Sequence, residues 1–448
     1  MNYFLFLTVF FGLGILYFIL GIITSKRIKT NTDYFLAGRN LGIIPVTFTL
    51  IATQLGGGML LGTSQEAFKM GFYGIMYTIG MSIGFMLLGL GFASRLRSLN
   101  VSTTAELFET RYNSITLKKI ASMLSIATFF GIMLAQIVAS RALLAGLGIG
   151  SETVFLAFWA IIIAYTILGG LRAVAMVDTA QVIFIILVFG GIFIYGLLSE
   201  PASFFSFANI ATMQESFTAS NITFYSLVGV VLMPALFSLI EQDLAQRFFA
   251  SKTKKIAAVS AILASLFLVS FSLVPIYFGM KAKFMGIAFS GSPIIPVIKS
   301  LTNTFVLTLA VCGIIAAITS TGDSLLCAIS SNVAQDFDFS FIGIKNKLTI
   351  SKIITLIIGV LAIIFSYLVP QNIIGLLIGS YEISVVCLLI PLLVSYFRKN
   401  LNKNAAIGSI AFGLAGFILF RFFPIAIPRE IAALTLSGIG YLIGKKIR

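Results

Sequence analysis

Hydroxyl side chains and a carboxylate stand together inside one of the most apolar stretches of the chain. Ala317 is followed by Ser320 and Thr321, and Asp323 and Ser324 come directly after them. Hydroxyl and carbonyl oxygens suit a hard cation such as Na⁺. Ser320 shares a helical face with Asp323 and Ser324. Each hydroxyl alone could simply bond its own helix, but a carboxylate at such depth is functional by default. The stretch therefore predicts an ion site.

A run of glycines marks a second unusual stretch. Residues 52–58 read Ala-Thr-Gln-Leu-Gly-Gly-Gly, and each glycine weakens a helix by about 1 kcal/mol relative to alanine. We predict a discontinuous helix whose freed carbonyls bind an ion or solute; the alternative is a packing face of small residues. Gly229 and Pro234 interrupt a later apolar run, and paired interruptions indicate a transporter site. The predicted solute-binding residues are Gln54, Gly56, Gly57, Gly58 and Pro234.

Other polar residues within apolar runs extend these predictions. Asp178 is either a helix cap or a cation ligand. Gln136 and Glu382 are added to the predicted solute-binding residues, since a buried Glu382 requires a partner, an ion or a watery cavity. Glu241 and Asp243 fall near the end of an apolar run and are interpreted as interfacial.

Composition decides what kind of molecule holds these residues. The chain has 448 residues, of which 59% are hydrophobic and 10% charged, far from the values of soluble proteins. This excludes a water-soluble enzyme and a disordered chain. The net charge of +15 does not indicate nucleic-acid binding, because the basic residues lie between apolar runs. Histidine is absent and the three cysteines lie in apolar runs, so no catalytic cluster is predicted.

The elements that must position the polar residues are membrane helices. About 20 apolar residues are needed to cross a bilayer, and this template predicts an all-α polytopic protein with a single membrane domain. Two groups of five spans, at 41–198 and 222–396, must have opposite orientation and form an inverted repeat; 1–40 and 405–448 add helices outside them. The thirteen predicted spans are 3–23, 41–62, 71–94, 120–147, 153–168, 175–198, 222–242, 256–280, 302–334, 349–369, 371–396, 405–422 and 428–444.

The distribution of basic residues predicts the orientation of these spans. Of the 30 Lys and Arg residues, 23 fall on one set of alternate connectors and the C-terminus. Because basic loops stay on the cytoplasmic side, we predict an outside N-terminus and a cytoplasmic C-terminus. The short loops and the lack of a targeting segment favour the cytoplasmic (inner) membrane of a bacterium.

Several short stretches occur in a fixed order along the chain: residues 33–40, 66–71, 103–112, 165–174 with Asp178 and Gln181, Gln246 with Arg247, and the hydroxyl stretch near 320. Together they resemble the sodium/solute symporter family, especially its bacterial proline and pantothenate branch. The resemblance implies secondary active transport by alternating access in a five-plus-five, LeuT-like inverted-repeat fold with broken helices.

The resemblance also implies ion sites. Some members have a second sodium site in addition to the main one, and Asp323 stands where one such member has serine. The main sodium site would use the carbonyls of Ala52, Leu55 and Ala317 with the hydroxyls of Ser320 and Thr321. The second site would use Asp178, Asp323 and Ser324 with Ser320.

The predicted function is sodium-coupled import of a small organic solute, either an amino acid or a carboxylate such as a proline- or pantothenate-like compound. A carboxylate is favoured because the N-terminus of a broken helix attracts an anion. The alternatives are a proton-coupled carrier of the same fold and, from another class, a channel or transport-like sensor. The expected partners are Na⁺, the solute and the lipid bilayer, with no nucleic acid and no obligate protein partner.

Overall fold

Helices make up almost all of the regular structure in the part of the chain that is described. The computed structural model describes residues 3–26, 28–148, 150–199, 224–287, 292–340, 346–369, 373–423 and 427–447. The α-helices are α1 (Tyr3–Ser25), α2 (Asn31–Leu36), α3 (Ile43–Gln54), α4 (Thr63–Met70), α5 (Met76–Leu87), α6 (Ala93–Arg97), α7 (Glu106–Tyr112), α8 (Ile115–Gly146), α9 (Glu152–Ser199), α10 (Phe224–Ser238), α11 (Gln242–Ala250), α12 (Lys254–Phe284), α13 (Ile294–Leu301), α14 (Thr304–Asp336), α15 (Lys347–Phe365), α16 (Ile373–Phe397), α17 (Lys403–Phe422) and α18 (Arg429–Lys446).

Ten helical stretches among the described residues are long and apolar enough to cross a membrane. Every predicted span overlaps a described helix, but the grouping differs from the thirteen spans predicted. The predicted spans 153–168 and 175–198 fall within the 48 residues of α9. The predicted span 41–62 is divided between α3, which has 12 residues, and a following π-helical turn at Gly58–Gly62. Helix α18 is not among the ten stretches.

Helix α9 changes direction at one glycine. Gly170 has φ 51° and ψ −153°, whereas the residues on both sides are helical. This left-handed backbone is easily adopted only by glycine. A Cβ at Gly170 would also lie 2.6 Å from the backbone oxygen of Tyr34, which packs against the bend. The residues before and after Gly170 are therefore two helical segments of different direction, although the chain remains helical through both.

Helix α14 lies at the centre of the molecule. In the most apolar window of α14, 83% of residues are buried, against 22% for α1 and 28% for both α9 and α15. It packs against α3, α8, α9, α11 and α15. The peripheral helices instead expose large apolar side chains, as expected for surfaces that face lipid. The polar residues of α14 are thus surrounded by protein.

The remaining helices pack around the central helix α14 and its neighbours. Helix α1 packs along α9, while α17 and α18 pack on each other and against α16. The predicted connector 199–221 lies almost wholly outside the described residues, as does the start of the predicted second repeat at 222–396. Three basic residues that enter the orientation argument, Arg27, Lys345 and Arg448, also lie outside them.

Candidate ion- and solute-binding site

Helix α3 is interrupted where the glycine run predicts a break. It ends at Gln54, and Leu55 has a ψ of 9°, well away from the helical value. In a continuous helix, the carbonyl of Thr53 would accept the N–H of Gly57. That N–H instead donates to Oε1 of Gln136, on α8, at 2.8 Å. The break therefore leaves the carbonyl of Thr53 available to another partner.

The available carbonyls of α3 are met by hydroxyl groups of α14. The Ser320 Oγ lies 3.0 Å from the carbonyl oxygen of Ala52 and 2.9 Å from that of Ala317. The Thr321 hydroxyl donates to the carbonyl of Thr53 at 3.0 Å and lies 3.5 Å from that of Ala317. All of these oxygens are uncharged and retain lone pairs that can face a cation.

Four of the five residues predicted for the main sodium site are therefore joined by direct contacts. The fifth, Leu55, is fully buried at the break itself. We name the oxygens of Ala52, Leu55, Ala317, Ser320 and Thr321 the neutral cage. Its assignment to sodium stays a prediction at this point.

The glycines of residues 56–58 allow close approach between helices. A Cβ at Gly56 would lie 2.4 Å from Oγ1 of Thr321, and a Cβ at Gly58 would lie 2.4 Å from Cδ1 of Leu377. At Gly57 it would lie 2.9 Å from the Cβ of Ala139. None of the three has a positive φ. The packing face and the discontinuous helix, which the sequence presents as alternatives, are thus both present.

A charged cluster lies one helical turn further along α14. The Arg247 side chain is completely buried. Its Nη2 donates to Oγ of Ser324 at 2.5 Å and lies 3.8 Å from Oδ2 of Asp178. Its Nε donates to the hydroxyl of Thr49 at 3.0 Å, and that hydroxyl donates to Asp178. The charged cluster therefore combines α3, α9, α11 and α14.

Asp323 completes the charged cluster. Its Oδ2 accepts the hydroxyl of Tyr165 at 2.5 Å, and Ser324 lies 3.4 Å from its Oδ1. Oδ1 of Asp178 is buried and has no hydrogen-bond partner among the described residues. Buried charges are normally paired or bound to a metal ion. Two carboxylates and one guanidinium leave one negative charge, so Asp178, Asp323 and Ser324 fit an additional cation.

A second helix is interrupted beside the first, but not where the sequence indicates. Helix α10 continues through Gly229 and Pro234 to Ser238. The helical path stops at Leu239–Glu241 and resumes with α11. The predicted interruption at Gly229 and Pro234 is therefore wrong in position. Proline is tolerated inside membrane helices, and here Pro234 packs against Gly80 of α5, where an added Cβ would lie 2.8 Å from its Cγ.

Both breaks border one small cavity. Its free space, about 20 Å³, is that of a single water-sized group. The solute-binding residues predicted from the sequence that line it are Gln54, Gly56, Gly58 and Gln136. The other residues around it are Thr53, Met59, Tyr77, Ile132, Glu241, Asp243, Thr321, Leu325, Leu377 and Tyr381.

Other predicted solute-binding residues take different places. Gly57 touches the site through its N–H on Gln136. Pro234 packs against α5. Glu382 has its Oε2 3.2 Å from Nη2 of Arg429, in an ion pair between α16 and the start of α18. The structure thus gives Glu382 the partner that its burial requires, outside the residues that border the cavity.

Sequence reasoning missed the acidic residues of the second break. Glu241 is 7% exposed and Asp243 is fully buried, so neither is interfacial. The sequence does contain a signal for their burial: Glu241 and Asp243 lie at the start of a segment that stays amphipathic up to Ala250, as a further packed helix would. From the sequence, Arg247 is one of the 23 basic residues assigned to the cytoplasmic side and is part of the family resemblance. Its complete burial and its contacts instead make it the centre of the charged cluster.

Comparison with known proteins supports this description of the fold and identifies the family. The family model of the sodium:solute symporter family matches residues 34–413. A solved Na⁺-coupled sialic acid symporter, substrate-bound and outward-open, is similar at a TM-score of 0.82 and 18% identity, over 99% of this chain and 96% of the other. Mhp1, a nucleobase-cation-symport-1 family transporter in a closed conformation with bromovinylhydantoin bound, gives a TM-score of 0.62 and 12% identity over 93% and 96%.

The family model covers more than half of the chain, and the chain therefore belongs to the sodium:solute symporter family. Membership of this family makes it a membrane transporter and not an enzyme. Na⁺ is accordingly its coupling ion, and the transported partners are Na⁺ and a solute. The predicted family and the predicted sodium coupling are confirmed.

Proposed function

We propose that the chain imports a small organic solute together with Na⁺ by alternating access. The observation that carries the proposal is the neutral cage, in which two hydroxyls of α14 meet carbonyls of α3 beside its break. Na⁺ bound among these oxygens connects the broken helix to the central helix. Transport then needs no covalent chemistry, only a change in which side of the membrane the cavity faces.

The proposal includes a topology of thirteen spans. The bend at Gly170 supports counting α9 as two spans, and α17 with α18 adds a hairpin after the core. We place the inverted repeats at 41–198 and 222–396, because each then begins with an interrupted helix and both interruptions border one cavity. Basic loops place the N-terminus outside and the C-terminus in the cytoplasm of a bacterial cell, across its cytoplasmic membrane.

We further propose that the charged cluster binds a second Na⁺. The unpartnered Oδ1 of Asp178 and the remaining negative charge next to Arg247 support this role. Asp323, Ser324 and Ser320 provide further oxygens nearby; Ser324 donates to the carbonyl of Ser320 at 2.7 Å. The two ion positions thus share residues of α14, and the filling of one affects the geometry of the other.

The solute is proposed to bind in the cavity between the two breaks, with Gln54, Gly56, Gly58 and Gln136 among its contacts. Because the cavity now holds only a water-sized group, solute entry requires the surrounding helices to separate. Sodium at the neutral cage favours the conformation that accepts solute, and by linkage the solute tightens sodium binding by the same factor. The membrane potential adds about 2.3 kcal/mol per charge per 100 mV.

Uptake into proteoliposomes tests the proposal. Radiolabelled amino acids and pantothenate are offered with an inward sodium gradient or with an inward proton gradient at equal sodium on both sides. We expect concentrative uptake of at least one compound with the sodium gradient alone. Uptake driven by the proton gradient alone would support the proton-coupled carrier instead, and conductance without solute would support a channel.

A further inference from the structure

The cavity between the two breaks is acidic. Among its lining residues, Glu241 and Asp243 carry carboxylates and no lining residue is basic. The side chains of these two residues are close enough for the charge of one to act on the other. Two ionised carboxylates repel each other at that distance, so a positive group between them would stabilise the pair.

One carboxylate oxygen is positioned to receive such a group. Asp243 is fully buried, and its Oδ2 has no hydrogen-bond partner within the described part of the chain. Its Oδ1 accepts the N–H of Leu244 at 2.7 Å, which fixes the carboxylate. The guanidinium of Arg247 is bound to Thr49 and Ser324 and reaches only the backbone carbonyl of Asp243. The resident cation therefore leaves Oδ2 without a donor.

One donor at the N-terminus of the resumed helix is already in use. The carboxylate prediction depended on the attraction of this N-terminus for an anion, yet the N–H of Gly57 there donates to Gln136 at 2.8 Å. Aromatic rings of Tyr77 and Tyr381 also border the cavity, with their hydroxyls 2.9 Å apart. Aromatic faces and carboxylates together are a common environment for organic cations.

We infer that the solute carries a positively charged amino group, which Glu241 and Asp243 bind, and that simple carboxylates are not substrates. The inference rests on the proposed function and names the solute class of the same cavity. The water-sized free space matches an ammonium group.

A matched set of three-carbon probes tests this inference by thermal unfolding of the purified, full-length protein. Propylamine, alanine and propionate are titrated in NaCl and, separately, in KCl. We expect propylamine and alanine to raise the unfolding temperature saturably in NaCl, and propionate to leave it unchanged. Stabilisation by propionate but not by propylamine would overturn the inference. If NaCl itself gave no stabilisation over KCl, the proposed function would fail first.

Variants then assign the effect to the two carboxylates. In Glu241→Gln and in Asp243→Asn, the amine concentration for half-maximal stabilisation should rise by about tenfold or more. The sodium dependence measured without amine should be unchanged. Glu241→Asp keeps the negative charge. It should therefore bind the amine more tightly than Glu241→Gln if the loss of amine binding in Glu241→Gln is electrostatic. Glu66→Gln on the exposed Lys69 pair is the matched control. Unchanged amine binding in both variants, or a loss of sodium binding instead, would show that a proton or a further Na⁺ occupies the pair, and the inference would be wrong.

Discussion

Two regions on neighbouring turns of α14, both proposed to bind Na⁺, differ in how they would hold it. The neutral cage presents hydroxyl and carbonyl oxygens and carries no permanent charge. The charged cluster contains two buried carboxylates and a completely buried arginine. An ion that leaves the neutral cage leaves no uncompensated charge behind, whereas an empty charged cluster still has Arg247 as a resident cation. The neutral cage is therefore suited to release its ion in every cycle.

The largest effect is expected from removing the hydroxyls of the neutral cage. In Ser320→Ala with Thr321→Ala, the cage loses two of its five oxygens, and the sodium concentration for half-maximal binding should rise by about tenfold or more. Binding of ²²Na⁺ to the purified protein measures it. The matched control is Ser409→Ala with Ser437→Ala, which removes a buried hydroxyl pair between α17 and α18. An unchanged sodium dependence in the cage variant would contradict the assignment.

A smaller loss is expected from filling the contact between the two helices. In Gly56→Ala, the new Cβ meets Oγ1 of Thr321 at 2.4 Å and forces α3 away from α14, so sodium affinity should fall several-fold. Gly190→Ala is the control, because a Cβ there meets nothing within 4 Å and stabilises a helix by about 0.5–1 kcal/mol. Equal sodium binding in the two variants would show that close approach at Gly56 is unimportant.

The charged cluster is tested by the number of bound ions. Asp178→Asn keeps the shape of the side chain but removes the charge that has an unpartnered oxygen. Saturating ²²Na⁺ should fall from two ions per protein to one, with the affinity of the remaining site changed only slightly. Asp338→Asn, on the exposed segment after α14, is the control. One bound ion in the unmodified protein would contradict the second sodium site and would mean that Arg247 and a bound proton neutralise this cluster.

The smallest effect is expected outside both regions. The buried Glu382 pairs with Arg429, whose side chain is 39% exposed, and neither residue lines the cavity between the two breaks. Glu382→Gln should change the half-maximal sodium concentration by less than about twofold. A large loss of sodium binding in this variant would place Glu382 in the binding machinery and would contradict the site described here.

The sequence predicts the neutral cage well because its parts are local. Residues 317–321 lie within two turns of one helix, and the glycines of 56–58 mark the break within a few residues. The apolar runs likewise predict helices that the structure contains. The family resemblance supplied the choice of Ala52, Leu55 and Ala317 as carbonyl ligands. It also supplied the pairing of these two segments, which are 268 residues apart at the contact of Ser320 with Ala52.

The charged cluster and the two carboxylates of the second break, Glu241 and Asp243, are harder to predict from the sequence. Arg247 meets Thr49 across 198 residues, and no local pattern reports such a contact. The end of the span was predicted at residue 242 because polar residues follow it, yet the helix resumes and all of α11 is buried. The break was predicted at Pro234 because proline often interrupts a helix, although the helix here continues through Pro234. Burial inside protein, which hydropathy does not report, accounts for both errors.

The central claim is that sodium joins the broken helix to the central helix, and a distance measurement tests it most directly. Spin labels are attached at Ile44, at the start of α3, and at Asp338, after the end of α14; both residues are exposed. Double electron–electron resonance then measures the distance between the two labels. The three native cysteines are buried. We predict that NaCl, compared with KCl, narrows the distance distribution, and that Ser320→Ala with Thr321→Ala abolishes the difference. Identical distributions in NaCl and KCl for the unsubstituted cage would contradict the account.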